Sequence, residues 1–192
     1  LIALGSTYHA HCNASLLLSR MVKTAPIIAV DWGTSALRVA LVGEDGRVER
    51  RAESPDGILH VRDGDFAGVL ARMTAGWPSL PVFAAGMIGS RQGWREVPYL
   101  RCPTGLDELA AALAEVAPGF FIVPGVVATS TDGTPDVMRG EETQVLGTGI
   151  SDGIVVLPGT HSKWVRLERG RIASFATFMT GEVFAVLTQH SI

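Results

Sequence analysis

"IIAVDWGTSALRVALVGEDGRV" spans Ile27–Val48, and its reading decides the fold. An apolar run with the character of a buried strand delivers Asp31, then Gly33, Thr34 and Ser35, and resumes at once as a second strand over Leu37–Val42. Asp45-Gly46 is a hairpin signal, so Arg47–Ala52 reads as a third strand, antiparallel to the second. A dinucleotide fold needs its glycine turn to open a helix, whereas here the turn leads into another strand.

Working outward, Phe66, Val69, Leu70 and Met73 recur at helical spacing, which predicts a helix over Phe66–Trp77. "LPVFAAGMIG" is a buried strand that ends in glycine, and "GFFIVPGV" is a fifth strand. Between them, Thr104 and Asp107 are placed to form a capping box, with Leu106, Leu109, Leu113 and Val116 as the inner stripe of the helix that follows. A polar turn with Asp132-Gly133 and Pro135 leads to a helix over Val137–Leu146. The order βββαβαβα predicts an α/β protein: a ribonuclease-H-like (actin-like ATPase) domain around a mixed five-stranded sheet.

The same design returns after Asp152-Gly153. "IVVLPGTHSKWVRLERGRIASF" is an apolar run, a turn of Gly159, Thr160, His161 and Ser162, a strand, a second turn near Arg169-Gly170, and a further strand. Two such units imply the start of a second, similar domain, each presenting its Gly-Thr turn to a shared cleft. Backbone amides beside Gly33 and Gly159 can approach a phosphate, and Asp31 at a strand end can hold Mg²⁺ through water. For one turn alone, an ordinary hairpin turn with a capping hydroxyl is an equal reading. The repetition favours phosphate.

Composition bounds the function. The 192 residues are 47% hydrophobic and 18% charged, enough for a substantial core, with a net charge of −3 and no basic stripe to meet nucleic acid. Cys12 and Cys102 form neither a metal pattern nor a disulfide framework, which points to a reducing, cytoplasmic setting. "LIALGSTYHAHCNASLLLSR" is neither signal peptide nor membrane span, and reads as an extension (residues 1–20) upstream of an initiator Met21, with a packed arm as the alternative. The domain expectation is then 21–150 for the first domain and 151–192 for the beginning of a truncated second one. Residues from about 152 onward should be marginally ordered or should lean on the first domain or on another chain, and a homo-oligomer is compatible with that.

"GSRQGW" has the chemistry of a clamp for an anionic substrate: Arg91 offers a planar fork to a carboxylate, Gln92 can bond hydroxyls, and Trp94 can pack against an apolar face. A solvated loop is the plainer account of Arg91 alone. Arg139 is a further carboxylate or phosphate partner, or else half of a structural salt bridge. His161 suits a turn-stabilising or substrate hydrogen bond, since no second His stands near it to suggest a metal. Lys163, with Lys23 one of the two lysines in the chain, is placed to meet a phosphate or the acid, although a surface lysine at a strand start is commoner.

The strings "VDWGTS", "GMIGSRQGW", "PDVMRGEETQVLG", "LPGTHSKWV" and "FATFMTGEVFAVL" together closely resemble the 2-dehydro-3-deoxygalactonokinase family, within the sugar-kinase and actin-like ATPase superfamily. The resemblance runs from Ile27 to Ile192. It implies ATP and Mg²⁺ as cofactors, transfer of the γ-phosphoryl group to the 6-hydroxyl of 2-dehydro-3-deoxy-D-galactonate, and a role in galactonate catabolism. It matches Asp31, Gly33, Thr34 and Ser35 to the first phosphate motif and Gly159 and Thr160 to the second. "RGEETQVLG" resembles the segment in which related kinases carry their catalytic acid. Glu141 takes that acid's place, with Asp136 as the second candidate and a helix-initiating acid as the bland account. A non-catalytic sugar-acid binding fragment that has lost ATP binding is the alternative function. A two-metal hydrolase would want more strand-end acids than Asp31.

Overall fold

The computed structural model describes residues 2–3, 25–130 and 132–190. Its centre is a six-stranded mixed sheet in the order β4-β3-β2-β5-β8-β7, built from β2 (Ile27–Trp32), β3 (Leu37–Val42), β4 (Val48–Ser54), β5 (Val82–Gly86), β7 (Ala114–Ala117) and β8 (Phe120–Ile122). β2, β3 and β4 pair antiparallel in succession, and β5 and β8 then add parallel to β2. Three antiparallel strands followed by two parallel ones beyond the first are the ribonuclease-H-like sheet. One strand more than expected is present, because β7 pairs antiparallel with β8 across Pro118-Gly119.

β2 runs through the middle of the molecule, so both of its faces are covered. Ile28, Val30 and Trp32 face a cluster closed by Phe66, Val69 and Leu70 of α1 (Phe66–Met73). Ile27 and Ala29 face the opposite cluster, where Val155, Leu157, Val165, Leu167, Ile172 and Phe175 of the C-terminal unit close the core. That unit is an antiparallel sheet of β11 (Gly153–Leu157), β12 (Ser162–Glu168) and β13 (Arg171–Phe178), followed by α4 (Thr180–His190). The expected turn at Arg169-Gly170 joins β12 to β13, both residues having positive φ. β1 (Ile2–Ala3) pairs parallel with β11. The rest of the proposed 1–20 extension, with Met21 and Cys12, lies outside the described residues.

A small sheet absent from the expected order connects the two units. β9 (Val126–Thr129) pairs parallel with β6 (Leu100–Arg101) and antiparallel with β10 (Pro135–Met138). Val137 and Met138 therefore belong to a strand. The helix expected from Val137 instead begins after Gly140 as α3 (Glu141–Gly147). Gly140 has φ 107°, which stops a helix from running back through it.

The capping box also moves. Thr104 is extended, exchanging backbone hydrogen bonds with Ile172, and its hydroxyl donates to the Arg101 carbonyl at 2.6 Å. α2 (Leu106–Ala111) starts one residue later, where the Glu108 carboxylate accepts the Gly105 N–H at 2.9 Å. Leu109 is the fully buried member of the expected stripe, but the helix stops before Leu113, and Val116 lies on β7. Pairing with β8 outweighs the helical propensity of the alanine-rich segment. α1 likewise ends at Met73, short of Trp77.

Candidate active site

The two Gly-Thr turns, which the sequence separates by more than a hundred residues, open onto one cavity of about 400 Å³. Asp31, Gly33 and Thr34 come from the end of β2 and its turn, while Gly159, Thr160, His161 and Lys163 come from the β11–β12 turn. Gly86 at the end of β5 and Gly140-Glu141 at the start of α3 form the wall between them. Strand ends of two units thus meet at one cleft.

That wall depends on glycine. Gly86 has φ 94° and ψ −157°, and an added Cβ would sit 2.7 Å from the Trp32 carbonyl oxygen. A Cβ on Gly140 would sit 3.1 Å from the Gly86 Cα. The end of β5 and the start of α3 therefore touch backbone to backbone, which brings Glu141 and Asp31 to the same cavity.

The first turn is braced from below, where Ile58 and Leu59 donate backbone N–H groups to the carbonyls of Gly33 and Thr34 at 3.0 and 3.3 Å. The second is braced by α4. His161 Nε2 lies 2.6 Å from Glu182 Oε2, the Ser162 and Thr180 hydroxyls are hydrogen-bonded, and the Glu182 N–H donates to the Thr160 carbonyl at 3.1 Å. His161 is thus paired with a carboxylate, in keeping with a turn-stabilising hydrogen bond.

Two carboxylates dominate the electrostatics. Asp31 pairs with Arg38 at 3.5 Å. Glu141 accepts the Arg139 N–H at 3.0 Å, and burial raises its pKa above the usual carboxylate range, opposed by Lys163 and reinforced by Asp31. Next to it Glu142 is fully buried, accepts the Gly140 N–H through both oxygens at 2.9 and 2.7 Å, and is pushed up to about 8 by burial and by Glu141.

Other expected site residues lie elsewhere. Arg91 is exposed and 3.9 Å from Glu96, Gln92 is exposed, and neither lines the cavity. Gly93 folds this segment back so tightly that a Cβ there would meet the Ile88 carbonyl at 2.1 Å. Trp94 is thereby turned inward, stacked on Phe66 at 6.1 Å and packed against Phe120 at 4.7 Å, so it serves the core. Ser35 is exposed and outside the cavity wall, and half-buried Asp136 also lies outside it, its carboxylate accepting from the Thr177 hydroxyl at 2.7 Å.

Lys163 reaches the wall, but its buried ammonium donates to the Val137 carbonyl at 2.6 Å and the Thr177 hydroxyl at 2.7 Å, with Asp136 at 3.9 Å. It links β12, β10 and β13. Arg139 sends its guanidinium to the Val97 carbonyl at 2.7 Å and over the Tyr99 ring at 4.1 Å, holding the loop after Gly89. Sequence reasoning missed Gly86, Met87, Gly140 and Gln144. Gly86 stood at an expected strand end, Gly140 lay inside the helix expected over Val137–Leu146, and Gln144 follows Glu141 by three residues, which is a same-face spacing on a helix.

The family model for 2-keto-3-deoxy-galactonokinase matches residues 31–192. The chain belongs to that family. It is 44% identical over 176 residues to a protein named probable 2-dehydro-3-deoxygalactonokinase from Rhizobium meliloti (strain 1021), covering 85% of this chain and 56% of that protein. It is 39% identical over 173 residues to the 2-dehydro-3-deoxygalactonokinase of Escherichia coli (strain K12), covering 88% and 59% respectively. A crystal structure assigned as a 2-dehydro-3-deoxygalactonokinase protein from Sinorhizobium meliloti superposes with a TM-score of 0.74 at 40% identity, over 86% of this chain and 58% of that one. The chain of the 2-keto-3-deoxy-galactonokinase family member described here therefore spans less than two thirds of each of these relatives. Among its described residues no helix is long and apolar enough to cross a membrane.

Proposed function

We propose that this chain carries the acceptor side and both phosphate turns of a kinase that moves the γ-phosphoryl group of ATP to the 6-hydroxyl of 2-dehydro-3-deoxy-D-galactonate, in galactonate catabolism in the cytoplasm. One observation supports the reading above all. Two Gly-Thr turns and the partly buried Glu141 line a single cavity, in a chain 44% identical to a protein named for that activity. Residues 21–150 act as the N-terminal kinase domain, and 151–192 begin the second.

In this reading Gly33 and Thr34 meet one phosphate group, and Gly159 and Thr160 meet another. Glu141 takes the proton of the 6-hydroxyl while that oxygen bonds to the γ-phosphorus. The bond from phosphorus to the bridging oxygen breaks, and ADP leaves with the electron pair. A carboxylate raised by burial binds that proton more readily than an exposed one. Lys163 and Asp136 set the spacing of the second turn against β10, and Arg139 holds the loop beside the acceptor.

The donor set fits Mg²⁺. Asp31 and the Thr34 hydroxyl share the cavity, and the described residues contain no cluster of three or more His, Cys, Asp or Glu ligands. Mg²⁺ is characteristically held by one or two carboxylates, waters and substrate phosphates, without an all-protein cage. When bound there it neutralises charge on the phosphates.

The test is ADP release and phosphorylated product from the chain with Mg·ATP and the sugar acid. Glu141→Gln should lower kcat by roughly 10² to 10⁴ with KM little changed, the range for a lost general base. Near-normal turnover removes Glu141 from that role. The second reading is a module that binds the sugar acid without turning it over. Calorimetric binding of the acid with no binding of Mg·ATP would select it.

A further inference from the structure

Gln144 follows Glu141 by three residues on α3, and both side chains line the cavity. Its side chain is partly shielded from solvent and makes no hydrogen bond among the described residues. It has no evident part in holding the fold. Of the neighbouring charged groups, Lys163 is engaged with Val137 and Thr177 and Asp31 with Arg38, while Arg139 bonds Val97 and stacks on Tyr99 but leaves its buried Nη1 without a hydrogen-bond partner.

We propose that Gln144 is a specificity-determining residue that reads a hydroxyl of the bound sugar acid. This rests on the reading of the cavity as the sugar-acid site. A primary amide both donates and accepts, and so does an alcohol. Asp31 and Glu141, when ionised, only accept, and they repel the ligand's own carboxylate. A neutral group with both capacities is therefore the wall's match for a chain hydroxyl, while Met87 and Leu157 supply apolar contact for carbon. The amide stands one helical turn from Glu141, so it orients the acid relative to the base without adding charge.

The experiment is calorimetric titration of the 192-residue chain, wild type and Gln144→Met, with 2-dehydro-3-deoxygalactonate and with analogues that each lack one further hydroxyl. Gln144→Met should weaken binding of the parent acid roughly 10-fold, the scale of one neutral hydrogen bond with its partner left unpaired. One analogue should bind wild type and variant equally, because the hydroxyl that Gln144 reads is already gone. A uniform loss across all analogues would mean a structural role and overturn the proposal. So would an unchanged affinity, or no binding of any acid to the wild type. Gln144→Leu, which also removes the amide and adds no charge, is read by the same comparison if the Met variant does not fold. An acid that binds with the expected pattern but is not phosphorylated from Mg·ATP leaves Gln144 in place and rejects the kinase.

Discussion

Gly86→Ala tests the backbone contact on which the site depends. Its φ of 94° and ψ of −157° lie in a region essentially confined to glycine, where another residue costs about 1–3 kcal/mol. The new methyl would also stand 2.7 Å from the Trp32 carbonyl oxygen, and Gly140 blocks retreat on the other side. Overpacking of a tight site adds about 1–3 kcal/mol, so a total near 3 kcal/mol is expected. For a protein of this size that lowers Tm by roughly 6–12 °C. Gly119→Ala is the control, since Gly119 also has positive φ, 72°, but a Cβ there meets nothing within 4 Å. Thermal unfolding followed by circular dichroism compares the two. A Gly86→Ala chain that loses no more than Gly119→Ala would refute the claim that close approach, beyond backbone strain, builds this wall.

Two further predictions concern burial. Burial pushes the Glu142 carboxyl up to about 8 from its ordinary 4.5, so between those pH values the folded chain holds a proton that the unfolded chain has released. Stability should therefore fall as pH rises through that window, by up to about 1 kcal/mol per unit, and Glu142→Gln should flatten the slope in denaturant titrations at pH 5 to 8. An unchanged slope would mean that Glu142 is ionised throughout. Trp94→Ala should cost roughly 3–5 kcal/mol, whereas Arg91→Ala should stay within about 0.5 kcal/mol, because one is packed between Phe66 and Phe120 and the other is solvated. Urea midpoints separate them, and a large loss from Arg91→Ala would contradict its placement outside the cavity.

The long apolar strands and their turns were legible from periodicity. Leu37–Val42 fell where expected, and the Gly-Thr turns were found as strand-to-strand breaks followed by renewed apolar runs. Short strands were not legible. β6 has two residues and β7 lies in an alanine-rich stretch, so their existence depends on partners distant in sequence. The "GSRQGW" clamp failed for a related reason: local chemistry cannot reveal that Gly93 turns Trp94 into the core.

By itself, the sequence determined the family, the ribonuclease-H-like strand order of the first unit, and the pairing of two similar turns. These follow from local patterns: alternating burial, glycine at tight turns, and long specific strings. Tertiary structure alone decided which residues share the cavity. Gly86 and Gly140 carry no side-chain chemistry to announce a site, yet their contact brings α3 to the end of β5, and with it Glu141 and Gln144. It also decided that Lys163, Arg139 and Asp136 hold elements together, because whether a charged group meets ligand or backbone depends on what the fold packs around it.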